Sequence, residues 1–152
     1  MVDPLAKGAL VPGASTLGVV GGGQLGRMFA HAAQALGYRV AVLDPQAGCP
    51  AGQVAAQQIV GAYDDPLACD QLARAAQACT TEFENVPAPA LARLAATGPV
   101  SPPPRALAVC QDRALEKAHF EAQGVPCAPH ARIDSEADLS AAAARPLFPA
   151  IL

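Results

Sequence analysis

Aromatic residues make up only 4% of the 152 positions, and tryptophan is absent. Charge is also scarce, at 15% of residues, with a formal net charge of −3. Lys and Arg are scattered, so the basic stripe that a nucleic acid or an anionic membrane surface selects is missing, and neither partner is expected. No apolar run approaches the roughly 20 residues of a membrane-spanning helix. Met1–Ser15 lacks the charged start and apolar centre of a signal peptide, which makes a cytoplasmic address the expectation. The five cysteines (Cys49, Cys69, Cys79, Cys110 and Cys127) are odd in number and form no Cys-x-x-Cys pair. That pattern excludes a disulfide framework and a zinc site and leaves them as reduced, small buried residues. The three histidines suggest no nucleophile-His-Asp arrangement, so no catalytic thiol is assigned.

Alanine is what the chain has in excess. Its 36 copies inflate the 52% hydrophobic content while the large core-forming side chains stay sparse. The fold therefore has to rely on helices packing closely. A chain of this length accommodates one domain plus a remnant.

Pro4, Gly8, Pro12 and Gly13 interrupt the first fifteen residues, which read as a mobile extension, with order beginning at Thr16. Leu17–Val20 is a short apolar strand feeding into Gly21-Gly22-Gly23. Leu25, Met28, Phe29, Ala32, Ala33 and Leu36 then recur at helical spacing, and Gly37 closes the helix. Arg39–Leu43 is a second strand ending at Asp44-Pro45, and Ile59-Val60 is a very short third. Asp64-Asp65-Pro66 opens a helix with buried positions Leu67, Leu72, Ala75, Ala76 and Cys79. Thr80–Phe83 reads as a fourth strand, and a proline-led helix carries Leu91 and Leu94. This alternation predicts an α/β fold with an open parallel sheet flanked by helices, Rossmann-like, over 16–99.

Val100–Arg105 (VSPPPR) changes the composition abruptly and reads as a stiff connector between domains. A second unit over 106–152 follows. It comprises a helix from Ala106 to Gln123, an extended Ala131–Ile133, a Ser135-capped helix over Glu136–Arg145, and a strand starting at Phe148. A strand with no partner after it cannot satisfy its backbone groups, so this second domain is expected to be incomplete.

Gly21-Gly22-Gly23-Gln24-Leu25-Gly26 satisfies G-x-G-x-x-G between a strand and a helix, and Asp44 ends the next strand about 20 residues on. By that test the chain is an NAD-binding module of a dehydrogenase or regulator. The physics supports a broader statement: glycines let a ligand approach the backbone, and amides at a helix start favour an anion or polar group. Equally, the turn packs helix on strand with no ligand, and Asp44 is a turn residue before Pro45. Thr80–Pro87 puts Glu82, Glu84 and Asn85 at the C-terminal end of a sheet strand, the edge where open α/β sheets bind ligands. Carboxylates there suit hydroxyl or amine groups; they also suit a solvated loop capping the next helix. A non-catalytic interaction domain remains a third class.

Taken together, LGVVGGGQLGRM (Leu17–Met28), VLDP (Val42–Pro45), Gln58–Asp65, TEFENVP (Thr81–Pro87) and QDRALEKAHFEAQGVPCAP (Gln111–Pro129) resemble the family of ATP-dependent 5-(carboxyamino)imidazole ribonucleotide synthases. These are ligases of purine biosynthesis in the ATP-grasp superfamily. The resemblance runs from Leu17 to Leu152. It implies a pre-ATP-grasp domain followed by the truncated start of an ATP-grasp domain. In the family, 5-aminoimidazole ribonucleotide, bicarbonate and ATP give the N-carboxylated ribonucleotide, ADP and phosphate with magnesium, and the full-length enzyme is a homodimer. Gly22, Gly23, Gln24, Leu25, Glu82, Glu84 and Asn85 are thereby implied as ribonucleotide contacts, and Arg113 of the QDR segment as an ATP contact. The catalytic groups and metal ligands are expected beyond Leu152. The chain is then a truncated product or an interrupted frame, inactive alone, with Met1–Ser15 preceding the usual family start.

Overall fold

In the computed structural model, which describes residues 9–145 and residue 147, the apolar run after Ser15 forms β1 (Thr16–Val20). The glycine turn leads into α1 (Gln24–Ala35), and Gly37, at φ +87°, takes the left-handed position that ends it. β2 (Arg39–Asp44) pairs parallel to β1 from Thr16 opposite Arg39 to Val20 opposite Leu43. β3 (Gln57–Val60) adds parallel to β2. α2 (Pro66–Ala75) begins where the Asp65 side chain accepts from Leu67 N–H, and it carries the chain back to β4 (Ala78–Thr81) on the other side of β1. The sheet order is β3-β2-β1-β4, all parallel, which is the predicted open sheet. Two further helices, α3 (Ala88–Ala95) and α4 (Pro104–Cys110), complete a first compact unit, Met1–Gln111.

Strand alternation sends successive residues to opposite faces, and each face has its own core. Val20, Ala41, Leu43 and Ile59 meet Leu72, Leu91, Leu94 and Leu107 from α2, α3 and α4. On the other face Val19, Val40 and Val42 meet Ala30 and Ala33 of α1. The alanine excess has its use on this second face, where small side chains let α1 lie close to the strands. Each fully buried Leu or Val contributes roughly 1.5–3 kcal/mol by leaving water.

Several elements differ from their sequence pattern. β4 starts at Ala78, two residues early, because the ladder pairs Leu17 with Ala78 and Val20 with Thr81. Cys79, read as part of the preceding helix stripe, therefore lies in the strand, and Ala76 is the extended residue that ends α2. The expected single helix over 106–123 is two, α4 and α5 (Arg113–Ala122). Between them Asp112 adopts extended backbone (φ −115°, ψ 112°) and its carboxylate accepts from the Ala114 and Leu115 N–H groups, a local cap that competes with continuing the helix. The Val100–Arg105 segment lies within the first unit. It opens as strand pairing: Val100 bridges Cys79 in parallel, with Cys79 N–H to Pro99 O at 2.9 Å and Ser101 N–H to Cys79 O at 3.0 Å. Val11–Ser15 forms a turn in which Ser15 is buried and Gly13 N–H bonds Gly37 O, so local structure begins before Thr16.

The second unit, Asp112–Leu152, contains α5 and α6 (Glu136–Ala143), the latter capped by Ser135, whose Oγ accepts from Asp138 N–H. Among its described residues only Ala142 is buried. Ala131–Ile133 forms no strand, and the strand expected from Phe148 lies outside the described residues. Cys49, Cys69 and Cys79 are buried as expected, but Cys110 at the end of α4 is exposed and Cys127 in the second unit is half-buried, because no core covers either. Among the described residues no helix is long and apolar enough to cross a membrane.

Candidate functional site

Parallel strands with a common direction put the ends of β1, β2 and β4 at one edge of the sheet, and there the glycine turn meets two carboxylates. Asp44, the last residue of β2, is 7% exposed. Its Oδ2 accepts from Gly22 N–H and from the Tyr63 hydroxyl, each at 2.8 Å, and its Oδ1 accepts from Gln46 N–H at 2.8 Å. A buried carboxylate requires such partners. Burial first, and the bond to Asp44 second, push the Tyr63 phenol well above its ordinary value. Gly22 must be glycine because a Cβ there would collide with Cys49 Sγ and come within 2.9 Å of Asp44 Cβ. Burial likewise raises the Cys49 thiol, whose sulfur accepts from Gly52 N–H at 3.3 Å.

Glu82 follows β4 directly. Its N–H continues the ladder to Val20 O at 3.0 Å, and its side chain turns back over the glycines so that Oε2 accepts from Gly26 N–H at 2.8 Å. Gly23, the residue before α1, has no side chain to cap that helix, so Gly26 N–H in its first turn is supplied by Glu82 from across the sheet. Gln24 and Leu25 are exposed beside it, Leu25 at 60%. Glu84 and Asn85 are exposed on the following loop, where the Gln111 amide donates to Glu84 O and Val86 O. Gly22, Gly23 and Glu82 are thus drawn together by direct contacts, whereas Glu84 and Asn85 sit farther along the same segment.

Arg113 belongs to the second unit. It is 77% exposed there and pairs with Glu116, one helical step away. Glu116, Lys117, Phe120, Cys127 and Ala128 line a shallow hollow with it, about 210 Å³ in volume. Among the described residues no three His, Cys, Asp or Glu side chains converge as a metal site.

Two features are at odds with dinucleotide binding. The acid that would take a ribose hydroxyl, Asp44, has both oxygens engaged by its own chain. The first amide after the turn's leading glycine, Gly22 N–H, is likewise spent on it. The NAD-module reading is corrected on these grounds: the motif's letters are present, but their hydrogen bonds are turned inward. Sequence reasoning missed Tyr63, Phe83 and Cys49. Tyr63 is one of only two tyrosines, and its position just past β3 was the available signal.

The chain matches a model of the ribonucleotide synthetase pre-ATP-grasp domain over residues 14–111. It is 54% identical over 136 residues to N5-carboxyaminoimidazole ribonucleotide synthase of Brucella melitensis, covering 90% of this chain and 37% of that protein. A crystal structure of N5-carboxyaminoimidazole synthetase from Staphylococcus aureus complexed with ADP matches with a TM-score of 0.81 at 36% identity, over 87% of this chain and 36% of that one. The Aspergillus clavatus enzyme in complex with ADP and 5-aminoimidazole ribonucleotide matches with a TM-score of 0.77 at 32% identity, over 85% and 35%. The chain therefore spans little more than a third of the length of these relatives. With the fold, the glycine turn and the two inward-turned carboxylates described, the match over 14–111 shows that this chain belongs to the ribonucleotide synthetase pre-ATP-grasp domain family.

Proposed function

We propose that this chain forms the ribonucleotide-binding side of an ATP-dependent ligase that carboxylates 5-aminoimidazole ribonucleotide with bicarbonate in purine biosynthesis, and that its full-length form is a cytoplasmic homodimer. One observation carries the reading: at a single sheet edge a helix start whose own N-cap residue, Gly23, has no side chain stands beside a carboxylate that reaches back to its Gly26 N–H. The Gln24 and Leu25 amides at the positive end of α1 suit a phosphate. Glu82, with Oε2 held by Gly26, offers its other oxygen to ribose hydroxyls, and Glu84 and Asn85 border the same edge. Gly22 and Gly23 keep side chains out of the approach. A ribonucleotide needs both a donor set and an acceptor, and the turn provides them within a few residues of each other.

Arg113 is assigned to ATP, whose phosphates a guanidinium fork neutralises. Its pairing with Glu116 holds that fork until a nucleotide replaces the carboxylate. The residues of this chain bind and orient; magnesium would supply charge neutralisation for phosphoryl transfer from groups outside those described.

Calorimetric titration tests the reading. The chain is expected to bind 5-aminoimidazole ribonucleotide, with Glu82→Gln weakening it, and to give no heat with NADH. Heat from NADH that Asp44→Ala removes, with none from the ribonucleotide, would overturn it.

A further inference from the structure

Tyr63 lies outside the glycine turn, within the Gln58–Asp65 run, and reaches the turn through two neighbours. Its hydroxyl donates to Asp44 Oδ2 at 2.8 Å, the same oxygen that accepts from Gly22 N–H at 2.8 Å. Its ring stands edge-on to Phe83, with centroids 5.7 Å apart and planes at 67°. Phe83 in turn lies under Gly21, where a Cβ would come within 3.0 Å of its ring. Residues following β3 and β4 and the last residue of β2 therefore converge on one peptide of the turn, and Tyr63 joins all three.

We propose that Tyr63 is a positioning residue: through the Asp44 carboxylate its hydroxyl fixes the Gly22 peptide, and so aims the amides of Gly23, Gln24 and Leu25 at the ribonucleotide. This rests on the ribonucleotide reading of the turn. The geometry has no slack that would let another donor replace it, because Asp44 is nearly enclosed and its other oxygen already serves Gln46 N–H. With the hydroxyl gone, one oxygen of an enclosed carboxylate loses half its donors. Gly22 N–H still bonds Asp44, and Ala51 N–H still bonds Gly22 O at 2.8 Å, but the carboxylate that receives Gly22 N–H is then tied on that oxygen by the peptide alone, so the two loosen together. The phenol is held in its protonated form by burial and by Asp44, so it serves as a donor and not as a base.

The test is Tyr63→Phe, which keeps the ring on Phe83 and deletes one oxygen. Tyr38→Phe serves as the control, since Tyr38 packs against the α1 face away from the turn. Two readouts are taken on the whole chain: amide hydrogen exchange at Gly22 relative to Val42, and affinity for 5-aminoimidazole ribonucleotide. The expected result is selective acceleration of exchange at Gly22 in Tyr63→Phe, with about fivefold weaker ribonucleotide binding, the size of one lost hydrogen bond. Tyr38→Phe should show neither. Unchanged Gly22 exchange, or a loosened turn with unchanged affinity, overturns the proposal. A loosened turn in a chain whose wild type does not bind the ribonucleotide supports the positioning role and removes the substrate reading instead.

Discussion

The two units of this chain are built from similar helices and hold together by different means. In the first, α2 and α3 bury Leu72, Leu91 and Leu94 completely or nearly so against the sheet. In the second, α5 buries nothing, with Leu115 53% and Phe120 39% exposed. Both have well-made caps, Asp65 on α2 and Asp112 on α5. A cap worth about 1 kcal/mol cannot hold a ten-residue helix by itself, since isolated helices of that length are marginal in water. The difference teaches that the local signals of helix formation and the burial that fixes a helix are separable, and that among the described residues the first unit combines them where α5 does not.

The sharpest way to break that contrast is to remove one leucine from each unit. Leu72→Ala is expected to cost about 2–5 kcal/mol in urea unfolding, because it opens a cavity between α2 and β1. Leu115→Ala should stay within about 0.5 kcal/mol, and an equal loss at both sites would show a core in the second unit. Next in size is Gly22→Ala, which forces Cβ onto Cys49 and Asp44 and should cost about 1–3 kcal/mol while abolishing ribonucleotide binding. Gly124→Ala, in open space at φ +71°, meets backbone strain alone, about 1–2 kcal/mol, and should leave binding unchanged. Removing the caps sharpens the comparison further: Asp65→Ala should lower the global midpoint by about 1 kcal/mol, whereas Asp112→Ala should appear only as faster amide exchange within α5.

The smallest effect is in acid. Asp70 on α2 receives two 2.7 Å hydrogen bonds from Arg93 on α3, and that guanidinium holds its carboxyl below the usual 3.8. A folded value below the unfolded one gives stability that is present above 3.8 and lost as pH falls through the folded value. Acid titration of Asp70→Asn should be flatter there than wild type, by a small margin since the pair is solvent-accessible. Asp138, also lowered, by its bond to Ser135, belongs to the second unit and should titrate without moving the unfolding midpoint.

Much of this was legible beforehand. The parallel sheet, the glycine turn and the Asp65 and Ser135 caps follow from local residue chemistry. What escaped was set by distant neighbours. Leu107, Cys110 and Leu115 continue a helical pattern straight through Gln111-Asp112, and only the carboxylate's bonds to Ala114 and Leu115 break it. The start of β4 depends on which residue pairs with Leu17, a choice made sixty residues away. Asp44 illustrates the limit at the site itself: a motif shows that an acid follows the second strand, but whether it faces a ligand or its own turn depends on Tyr63, which no spacing rule includes.

The pairing of Val100 with Cys79 has a consequence for how molecules of this chain meet one another. An open strand edge is a template for foreign strands, and β4 would be such an edge. Pro99 and Ser101 occupy the Cys79 peptide groups, and the next three residues are prolines with no N–H to donate. At Cys79 that flank of the sheet is already paired with a stretch that gives an approaching strand little ladder to extend, which disfavours self-association by sheet growth there.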